Sequence, residues 1–322
     1  MNNNFKKTKF ETPVLFLVFN RPETTSKVFE MIRKAKPPRI YIACDGPRNN
    51  RKNEIEKIAE VKKIVTNVDW TCQVYTLFRN RNLGCKKAVS EAISWFFKNE
   101  NQGIILEDDC LPHIEFFSFC EELLNYYKED EKIICITGDN FQEGKIRSDA
   151  SYYFSKYNHC WGWATWRRAW KKYDGDLINW PNWSKSDAWL NHTSDKLERK
   201  FWSKIFNQVY SGKIDTWDYS WLFSAWFQNA LTVTPNVNLV SNIGFGPNST
   251  HTNDANDKAA NIPTKEVGVI NHPISINRSV EADRWTFNYH YGGKNLRFPY
   301  NWIFLPNRIL KYIFRMLKKS KL

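Results

Sequence analysis

The 322-residue sequence lacks several patterns that would assign a protein to a class at once. Neither G-x-G-x-x-G nor G-x-x-x-x-G-K-[ST] occurs, so the usual dinucleotide and phosphate-binding loops are absent. The seven cysteines include no C-x-x-C pair, and Cys44, Cys110 and Cys135 lie in or beside apolar runs. Cysteines in such runs behave as small hydrophobic residues, which is typical of a protein in a reducing compartment.

Long hydrophobic runs are also missing. The first residues, MNNNFKKTKFETP, lack the apolar core of a signal peptide, and the run Val14–Phe19 is too short to span a bilayer. We therefore expect a cytoplasmic protein. Its basic residues further predict that it lies peripherally on the inner face of the cell membrane.

The sequence carries a formal net charge of +13 but contains no recognisable nucleic-acid-binding module. Part of the positive charge lies in Lys6, Lys7 and Lys9, and much of the rest lies near residue 322. A basic protein can equally face anionic lipid or a phosphorylated substrate, so we expect no nucleic-acid partner.

A cationic stripe is predicted in the last part of the sequence. Arg308, Lys311, Arg315 and Lys318 are spaced as one face of a helix, with apolar residues between them. Such a basic amphipathic helix is suited to lying on an anionic membrane surface. The alternative is a helix that docks on the body of the protein with its lysines in solvent.

Strand-like and helix-like segments alternate over the first 140 residues. The predicted strands are Val14–Phe19, Ile40–Cys44, Val74–Phe78, Ile104–Leu106 and Ile133–Thr137. The predicted helices are one capped by Thr24 or Thr25, then Glu54–Val65, Gly84–Asn99 and Glu115–Lys128. This alternation predicts an α/β fold with a mostly parallel sheet and helices on both faces.

The pattern changes after residue 150, where tryptophan and tyrosine are concentrated. Asp195–Tyr210 and Trp217–Phe227 are predicted to be helical, and Val233, Val237 and Leu239 indicate short strands. The polar segment 248–262 is predicted to be a loop. The aromatic side chains could stack on sugar rings or simply pack in the core.

Polar residues follow each predicted strand of the first half. Ligands of parallel sheets bind outside the carboxyl ends of the strands, so these residues predict a binding site at one edge. They are Asn20-Arg21, Asp45-Gly46, Arg79-Asn80-Arg81, Glu107-Asp108-Asp109 and Gly138-Asp139-Asn140.

The acidic triplet, Glu107, Asp108 and Asp109, follows the apolar strand Ile104–Leu106 directly. Three carboxylates at the end of a buried strand repel one another and favour a hard divalent cation, which could neutralise a diphosphate. The alternative is that they are acids near the start of the following helix, where negative charge is also favourable.

Three segments together resemble nucleotide-sugar glycosyltransferases of the GT-A fold, in particular the N-glycan N-acetylglucosaminyltransferase and its bacterial relatives. The segments are Pro13–Pro22, then Arg81–Gly84 through the acidic triplet and Phe116-Phe117 to Asp139-Asn140, and finally Trp161–Trp163 with Trp217-Asp218. The resemblance implies a Rossmann-like fold with a nucleotide-sugar half at 1–145, an aromatic-rich acceptor and catalytic half at 146–295, and the basic segment at 296–322.

The same resemblance implies roles for individual residues. Asp109 would bind the metal, while Glu107 and Asp108 would contact the nucleoside or metal-bound water. Arg21, beside Asn20, would touch the nucleotide, and Asp45 would accept a hydrogen bond from a uracil imide. The diphosphate side would be formed by the loop containing Asn82, Gly84 and Lys86.

The resemblance places the catalytic base at Asp218, with Asp215 as the second candidate, since the paired acids of the family are not matched here. His251 would be a late metal ligand. Trp161, Gly162 and Trp163 would form the wall that faces the sugar. The metal would be Mn²⁺, with Mg²⁺ and Ca²⁺ left open.

These expectations together predict a metal-dependent, inverting transferase. It would move a sugar from a nucleoside-diphosphate sugar, favouring a UDP-sugar, to a glycan or lipid-linked glycan, as in bacterial surface polysaccharide assembly. Two alternatives remain open: a nucleotidyltransferase of the same fold, and a non-catalytic glycan- or membrane-binding module.

Overall fold

The computed structural model describes residues 10–49, 51, 53–246, 254 and 257–300. An eight-stranded sheet forms its centre, and a two-stranded sheet lies beside it. The ten strands are β1 Val14–Val18, β2 Arg39–Cys44, β3 Gln73–Phe78, β4 Gln102–Glu107, β5 Cys110–Pro112, β6 Ile133–Thr137, β7 Tyr152–Ser155, β8 Trp163–Trp166, β9 Leu231–Pro235 and β10 Val240–Asn242.

The large sheet has the order β3-β2-β1-β4-β8-β6-β9-β7. Strands β3, β2, β1 and β4 are parallel, and β6 and β9 run in the same direction as these four. Only β8 and β7 are antiparallel to their neighbours within this sheet. The prediction of an α/β fold with a mostly parallel sheet flanked by helices is therefore confirmed.

The helices are α1 Pro22–Ala35, α2 Glu54–Thr66, α3 Cys85–Asn99, α4 Glu115–Tyr126, α5 Arg167–Trp170, α6 Trp180–Trp183, α7 Asp187–His192, α8 Lys196–Tyr210, α9 Asp218–Phe227 and α10 Val280–Trp285. A π-helical turn at Thr286–His290 and a 3-10 turn at Gly293–Leu296 follow.

Helix α1 begins earlier than the sequence predicted. Arg21 is the N-cap residue and Pro22 stands in the first turn, where its fixed φ suits a helix start and its missing N–H costs no hydrogen bond. Thr24 and Thr25 lie inside the first turn and donate their hydroxyls to the carbonyl of Arg21. The prediction that one of these threonines caps the helix is wrong.

The five strands predicted in the first half are all present, with ends shifted by at most two residues. Helix α4 ends at Tyr126 rather than at Lys128. In the second half Val233 lies in β9, whereas Val237 and Leu239 lie in the connection before β10. Strand ends depend on the pairing partner, which a single sequence does not contain.

Both faces of the large sheet are covered by apolar side chains. Alternate residues of β1 contribute to the two sides: Phe16 packs in one hydrophobic cluster, and Leu15 and Leu17 pack in the other. The second cluster contains most of the buried tryptophans. This explains why the strand is apolar throughout, because a parallel strand covered on both faces has no polar side.

A buried ion pair joins the end of β7 to α8. Lys156 Nζ lies 2.7 Å from Glu198 Oε1, and both side chains are more than nine-tenths buried. Glu198 also accepts hydrogen bonds from the hydroxyls of Tyr157 and Thr193. The charge of Lys156 is therefore compensated inside the aromatic half of the molecule.

Within the described part of the chain, no helix has both the length and the apolar character needed to cross a bilayer. The predicted cationic stripe, which begins at Arg308, and the candidate ligand His251 lie outside the described residues. The same holds for most of the predicted loop 248–262, of which residues 254 and 257–262 are described.

Candidate functional site

The acidic triplet lies between two strands. Glu107 is the last residue of β4, and Asp108 and Asp109 form the tight turn into β5. Strand β4 pairs with β1 and β8 before the turn, and strand β5 pairs with β10 after it, so both ends of the turn are fixed by strand pairing. Helix α4 begins only at Glu115, which rules out the interpretation of these acids as residues of a helix start.

Arg21 holds two of the three carboxylates. Its Nη2 lies 2.6 Å from Asp108 Oδ1, and its Nη1 lies 2.7 Å from Asp109 Oδ2. The other oxygen of Asp108 accepts a hydrogen bond of 3.0 Å from the backbone N–H of Phe19. The loops after β1 and β4 are thus joined by an ion-pair contact that the sequence analysis did not predict, although it placed both loops at one edge of the sheet.

The charges at this point are unbalanced. Burial raises the pKa of Glu107 to about 8, and the negative charges of Asp109 and Asp108 add to the effect. Burial likewise raises the pKa of Asp108 to about 6, against the attraction of Arg21. Burial alone would lower the pKa of Arg21, but Asp108 and Asp109 outweigh it and raise that pKa. Three carboxylates are therefore opposed by the single positive charge of Arg21, which contacts only Asp108 and Asp109.

The backbone of Gly244 packs against this arginine–aspartate contact. A Cβ at position 244 would lie 2.6 Å from Arg21 Nη1 and closer still to Asp109 Oδ2. The neighbouring Ile243 donates its N–H to the carbonyl of Asp109 at 2.8 Å. The sequence analysis missed this role of Gly244, although the Gly-Phe-Gly run was a visible signal of close backbone approach.

Asp45 anchors the loop that enters α3. Its carboxylate accepts hydrogen bonds from the N–H groups of Leu83 at 2.9 Å and Gly84 at 3.2 Å. Asn82 donates to the carbonyl of Gly46 at 2.9 Å, which ties the loops after β2 and β3 together. Gly84 has φ +80°, a conformation that favours glycine. The oxygens of Asp45 thus support the loop, and a base contact stays a prediction.

Asn20 and Lys86 are directed at protein partners. Asn20 donates to Glu54 at 2.8 Å, and Glu54 is buried with Arg48 as its ionic partner. Lys86 Nζ lies 3.0 Å from the exposed carboxylate of Asp176. A ligand phosphate would have to compete with Asp176 for Lys86.

The two candidate bases lie near the same loop and triplet. Asp218 is the first residue of α9 and accepts a hydrogen bond from the hydroxyl of Thr216. Its charge contributes to the raised pKa of Glu107, so the two carboxylates are close enough to interact. Asp215 Oδ2 lies 3.7 Å from the place a Cβ would occupy on Gly84. Both acids are thus next to the predicted diphosphate side.

The two tryptophans of the predicted aromatic wall differ in exposure. Trp161 is partly exposed, and its backbone N–H donates to Asp139 Oδ2 at 3.3 Å. Trp163 is fully buried and stacks on Trp217 with ring centroids 5.7 Å apart, so its prediction as a sugar-facing side chain is wrong. Gly162 between them has φ +75°, a conformation that favours glycine, and a Cβ at this position would lie 2.7 Å from Val240 Cγ2.

Asp139 is a further buried carboxylate at this edge. It follows β6 and accepts hydrogen bonds from the Thr137 hydroxyl and the backbone N–H of Trp161. Burial raises its pKa to about 7. The sequence analysis noted Asp139 only as one of the polar residues at a strand end.

A divalent cation suits the donor set, although the protein alone does not complete a site. No group of three side chains among the described residues is arranged as a ready metal cluster. The carboxylate of Glu107 has no hydrogen-bond or ion-pair partner within the described part of the chain, and the carboxylate oxygens of the triplet are hard ligands of the kind that divalent cations prefer. A bound cation would need further ligands from a diphosphate or water.

Comparison with protein-family models and with curated proteins found no match. A solved structure of UDP-glucose pyrophosphorylase complexed with UDP-glucose aligns with a TM-score of 0.26 and 12% identity, over 45% of this chain and 62% of that one. Apo-UDP-glucose pyrophosphorylase aligns with a TM-score of 0.34 and 7% identity, over 70% of this chain and 90% of that one.

Proposed function

We propose that the protein is a metal-dependent, inverting glycosyltransferase that uses a nucleoside-diphosphate sugar, with a UDP-sugar favoured. The observation that carries the proposal is the acidic triplet at the carboxyl end of β4, where Arg21 is the basic partner of Asp108 and Asp109 and leaves a surplus of negative charge. A site of this kind can bind a cation and hold a carboxylate near the acceptor hydroxyl.

Asp109 would hold the divalent ion, for which Mn²⁺ is favoured and Mg²⁺ is suitable, while Glu107 and Asp108 would contact the nucleoside or metal-bound water. The ion would stabilise the charge that develops on the diphosphate leaving group. Arg21 already lies 2.7 Å from Asp109. A cation bound to Asp109 would weaken the ion pair between Asp109 and Arg21, because both compete for the same carboxylate. The guanidinium of Arg21 would then be able to contact the nucleotide.

Asp218 would accept the proton of the acceptor hydroxyl, and Asp215 is the second candidate. A base must be able to reach the hydroxyl while the leaving group departs from the other side of the sugar. Both acids lie beside Gly84 or Glu107, and neither has an arginine or lysine ion-pair partner within the described residues. Each is therefore free to act on a ligand.

The nucleotidyltransferase reading has less support from the loop after β1. Enzymes that make nucleotide sugars usually place a glycine-rich basic loop there. Here the connection is Phe19-Asn20-Arg21, and α1 begins immediately at Pro22. A non-catalytic glycan- or membrane-binding module is the remaining alternative.

The acceptor would be a glycan or a lipid-linked glycan in bacterial envelope assembly. The cationic stripe in the sequence, from Arg308 to Lys318, would hold the protein on the cytoplasmic face of an anionic membrane. A lipid-linked acceptor would be available at that surface.

Thermal denaturation in the presence of UDP and a panel of UDP- and other nucleotide sugars, each with and without Mn²⁺, tests the donor site. A metal-dependent rise in Tm is expected for one nucleotide class, because a ligand that binds the native state stabilises it. Asp109→Asn should abolish the rise, whereas Glu60→Gln, on the exposed side of α2, should not.

The same protein preparation separates the alternatives. Incubation with UTP and sugar 1-phosphates would release pyrophosphate if the protein were a nucleotidyltransferase. If no nucleotide or nucleotide sugar changes the Tm, both the glycosyltransferase and the nucleotidyltransferase functions are contradicted. The non-catalytic binding module would then be the remaining alternative.

A further inference from the structure

A cavity lies beyond the carboxyl ends of β6 and β9. It has a volume of about 430 Å³, within the usual range of ligand pockets. None of the acidic triplet lines it. Its walls include Asn140, Phe141, Val237, Ala259, Lys265 and His290. We call it the side cavity.

The side cavity and the acidic triplet share one edge of the sheet and one aromatic partition. Phe245 follows Gly244, whose backbone touches the Arg21–Asp109 contact. The ring of Phe245 meets Trp161 at 5.6 Å, and Trp161 meets Phe141 at 5.2 Å. Phe141 forms part of the cavity wall, so the two sites are connected through Trp161 and Phe245.

The charges around the side cavity are balanced, unlike those at the triplet. Glu143 and Asp257 are opposed by Lys258 and Lys265 in its lining. Burial lowers the pKa of His290 to about 4, although Asp257 acts in the opposite direction, so the imidazole is neutral at physiological pH. A cavity with no net charge favours an uncharged ligand over a nucleotide or phosphate.

The lining combines a rigid frame with polar groups that remain available. The Asn140 side chain donates to the carbonyl of Pro235 at 2.6 Å, and the Asn238 side chain donates to the carbonyl of Val240 at 2.8 Å. These amides fix the walls. The His290 ring stacks on Phe141 at 3.8 Å and has no hydrogen-bond partner among the residues described. Its nitrogens can therefore accept and donate hydrogen bonds to a ligand.

Apolar surface completes the cavity. Phe141, Val237, Ala259 and Ile262 contribute carbon atoms to the walls, and Ile146 stands at the mouth with 64% of its surface exposed. A sugar ring presents C–H groups on its faces and hydroxyls around its rim, and this combination matches an apolar wall with a few polar groups.

We propose that the side cavity binds a neutral sugar ring of the acceptor glycan, so that the donor site at the triplet and the acceptor site meet at the Trp161–Phe245 partition. The proposal rests on the proposed glycosyltransferase function. It assigns the acceptor to the β6–β9 side of the sheet and leaves the β1–β4 side to the donor nucleotide.

Saturation-transfer NMR with methyl glycosides of glucose, galactose, mannose and N-acetylglucosamine tests this site on the full chain. Wild-type protein should give signals for at least one glycoside. Ala259→Trp, which fills the cavity, should remove them. Ile146→Trp, at the exposed mouth, is a second variant that leaves the core unchanged and should weaken them several-fold. Ile55→Trp, exposed on α2, is the matched control and should retain them.

The outcomes are separable from those of the donor site. Signals that persist at wild-type strength in both cavity variants, or no signal for any glycoside, would overturn the proposal even if UDP binds with Mn²⁺. Loss of glycoside signals only in the cavity variants, with no nucleotide binding in any protein, would retain a sugar site and remove the transferase function.

Discussion

Glu107 is the one carboxylate of the acidic triplet that Arg21 does not contact. Burial raises its pKa to about 8, from an ordinary value of 4.5. The folded protein therefore holds a proton on Glu107 at pH values where the unfolded chain has released it. Stability from this group is present below pH 4.5 and is lost as the pH rises through about 8.

We therefore expect Glu107→Gln to stabilise the metal-free protein at pH 8.5 by about 1–3 kcal/mol, since the amide removes a charge from a partly buried position without changing the shape. At pH 5 the difference should be small. Urea denaturation of both proteins at the two pH values measures this. Equal stabilities at pH 8.5 would mean that Glu107 is solvated there.

Addition of Mn²⁺ should narrow the difference in stability between the two proteins at pH 8.5. A bound cation stabilises the ionised carboxylates, so the wild-type protein should gain more stability from Mn²⁺ than Glu107→Gln does. A rise in pH should favour the variant over the wild-type protein, whereas Mn²⁺ should favour the wild-type protein. Both changes are measured by the same urea denaturation, so each is a control for the other.

Gly244 offers a second residue-level test. Gly244→Ala would place a methyl group against Arg21 and Asp109, and the resulting overpacking should cost about 1–3 kcal/mol. The metal-dependent Tm shift with UDP should also be lost, because the arginine and aspartate are displaced. Gly212→Ala is the control: its φ of +69° makes alanine unfavourable, but no heavy atom lies within 4 Å of the new Cβ. It should lose stability and retain the shift.

The Lys156–Glu198 pair ties two elements of the aromatic half together. Removing one partner of a buried ion pair leaves the other charge uncompensated, so Lys156→Met should destabilise the protein by about 3–5 kcal/mol. The double variant Lys156→Met/Glu198→Gln should lose clearly less than the sum of the two single variants. Lys172→Met, which breaks the solvent-exposed pair with Glu131, should leave the stability almost unchanged.

How well elements could be predicted depended on how local their signals are. Strands β1, β2 and β6 are continuous apolar runs, and such runs are typical of strands covered on both faces. Strand β8 was missed because Trp163–Trp166 looks like an aromatic cluster, and its place between β4 and β6 is set by pairing over long sequence separations.

The site followed the same rule. The triplet and Arg21 could be brought together from the sequence, because both follow parallel strands that end at one edge. The burial of Trp163 and the loop contacts of Asp45 could not be predicted, since each is decided by residues far away in sequence: Trp217 in one case, Leu83 and Gly84 in the other.

At the scale of the whole molecule, the charge distribution predicts a salt-dependent association with membranes. The full chain should float with vesicles that contain anionic phosphatidylglycerol, and a chain truncated before Pro306 should not. Raising the ionic strength should weaken the association, since salt screens charges on the protein and the lipid. Equal flotation of the two chains would contradict the membrane proposal.

The position of β8 has a consequence for how the chain folds during synthesis. Strand β8 bridges β4 and β6, so residues 102–107 and 133–137 are joined only once residue 166 is available. Strand β9, residues 231–235, must then pair with β6 before β7 can be added at the edge. Closure of the sheet over such sequence separations is intrinsically slow. While the ribosome is still adding these residues, one side of β4 is an unpaired strand edge, and the nascent chain is most exposed to chaperones and to aggregation during that interval.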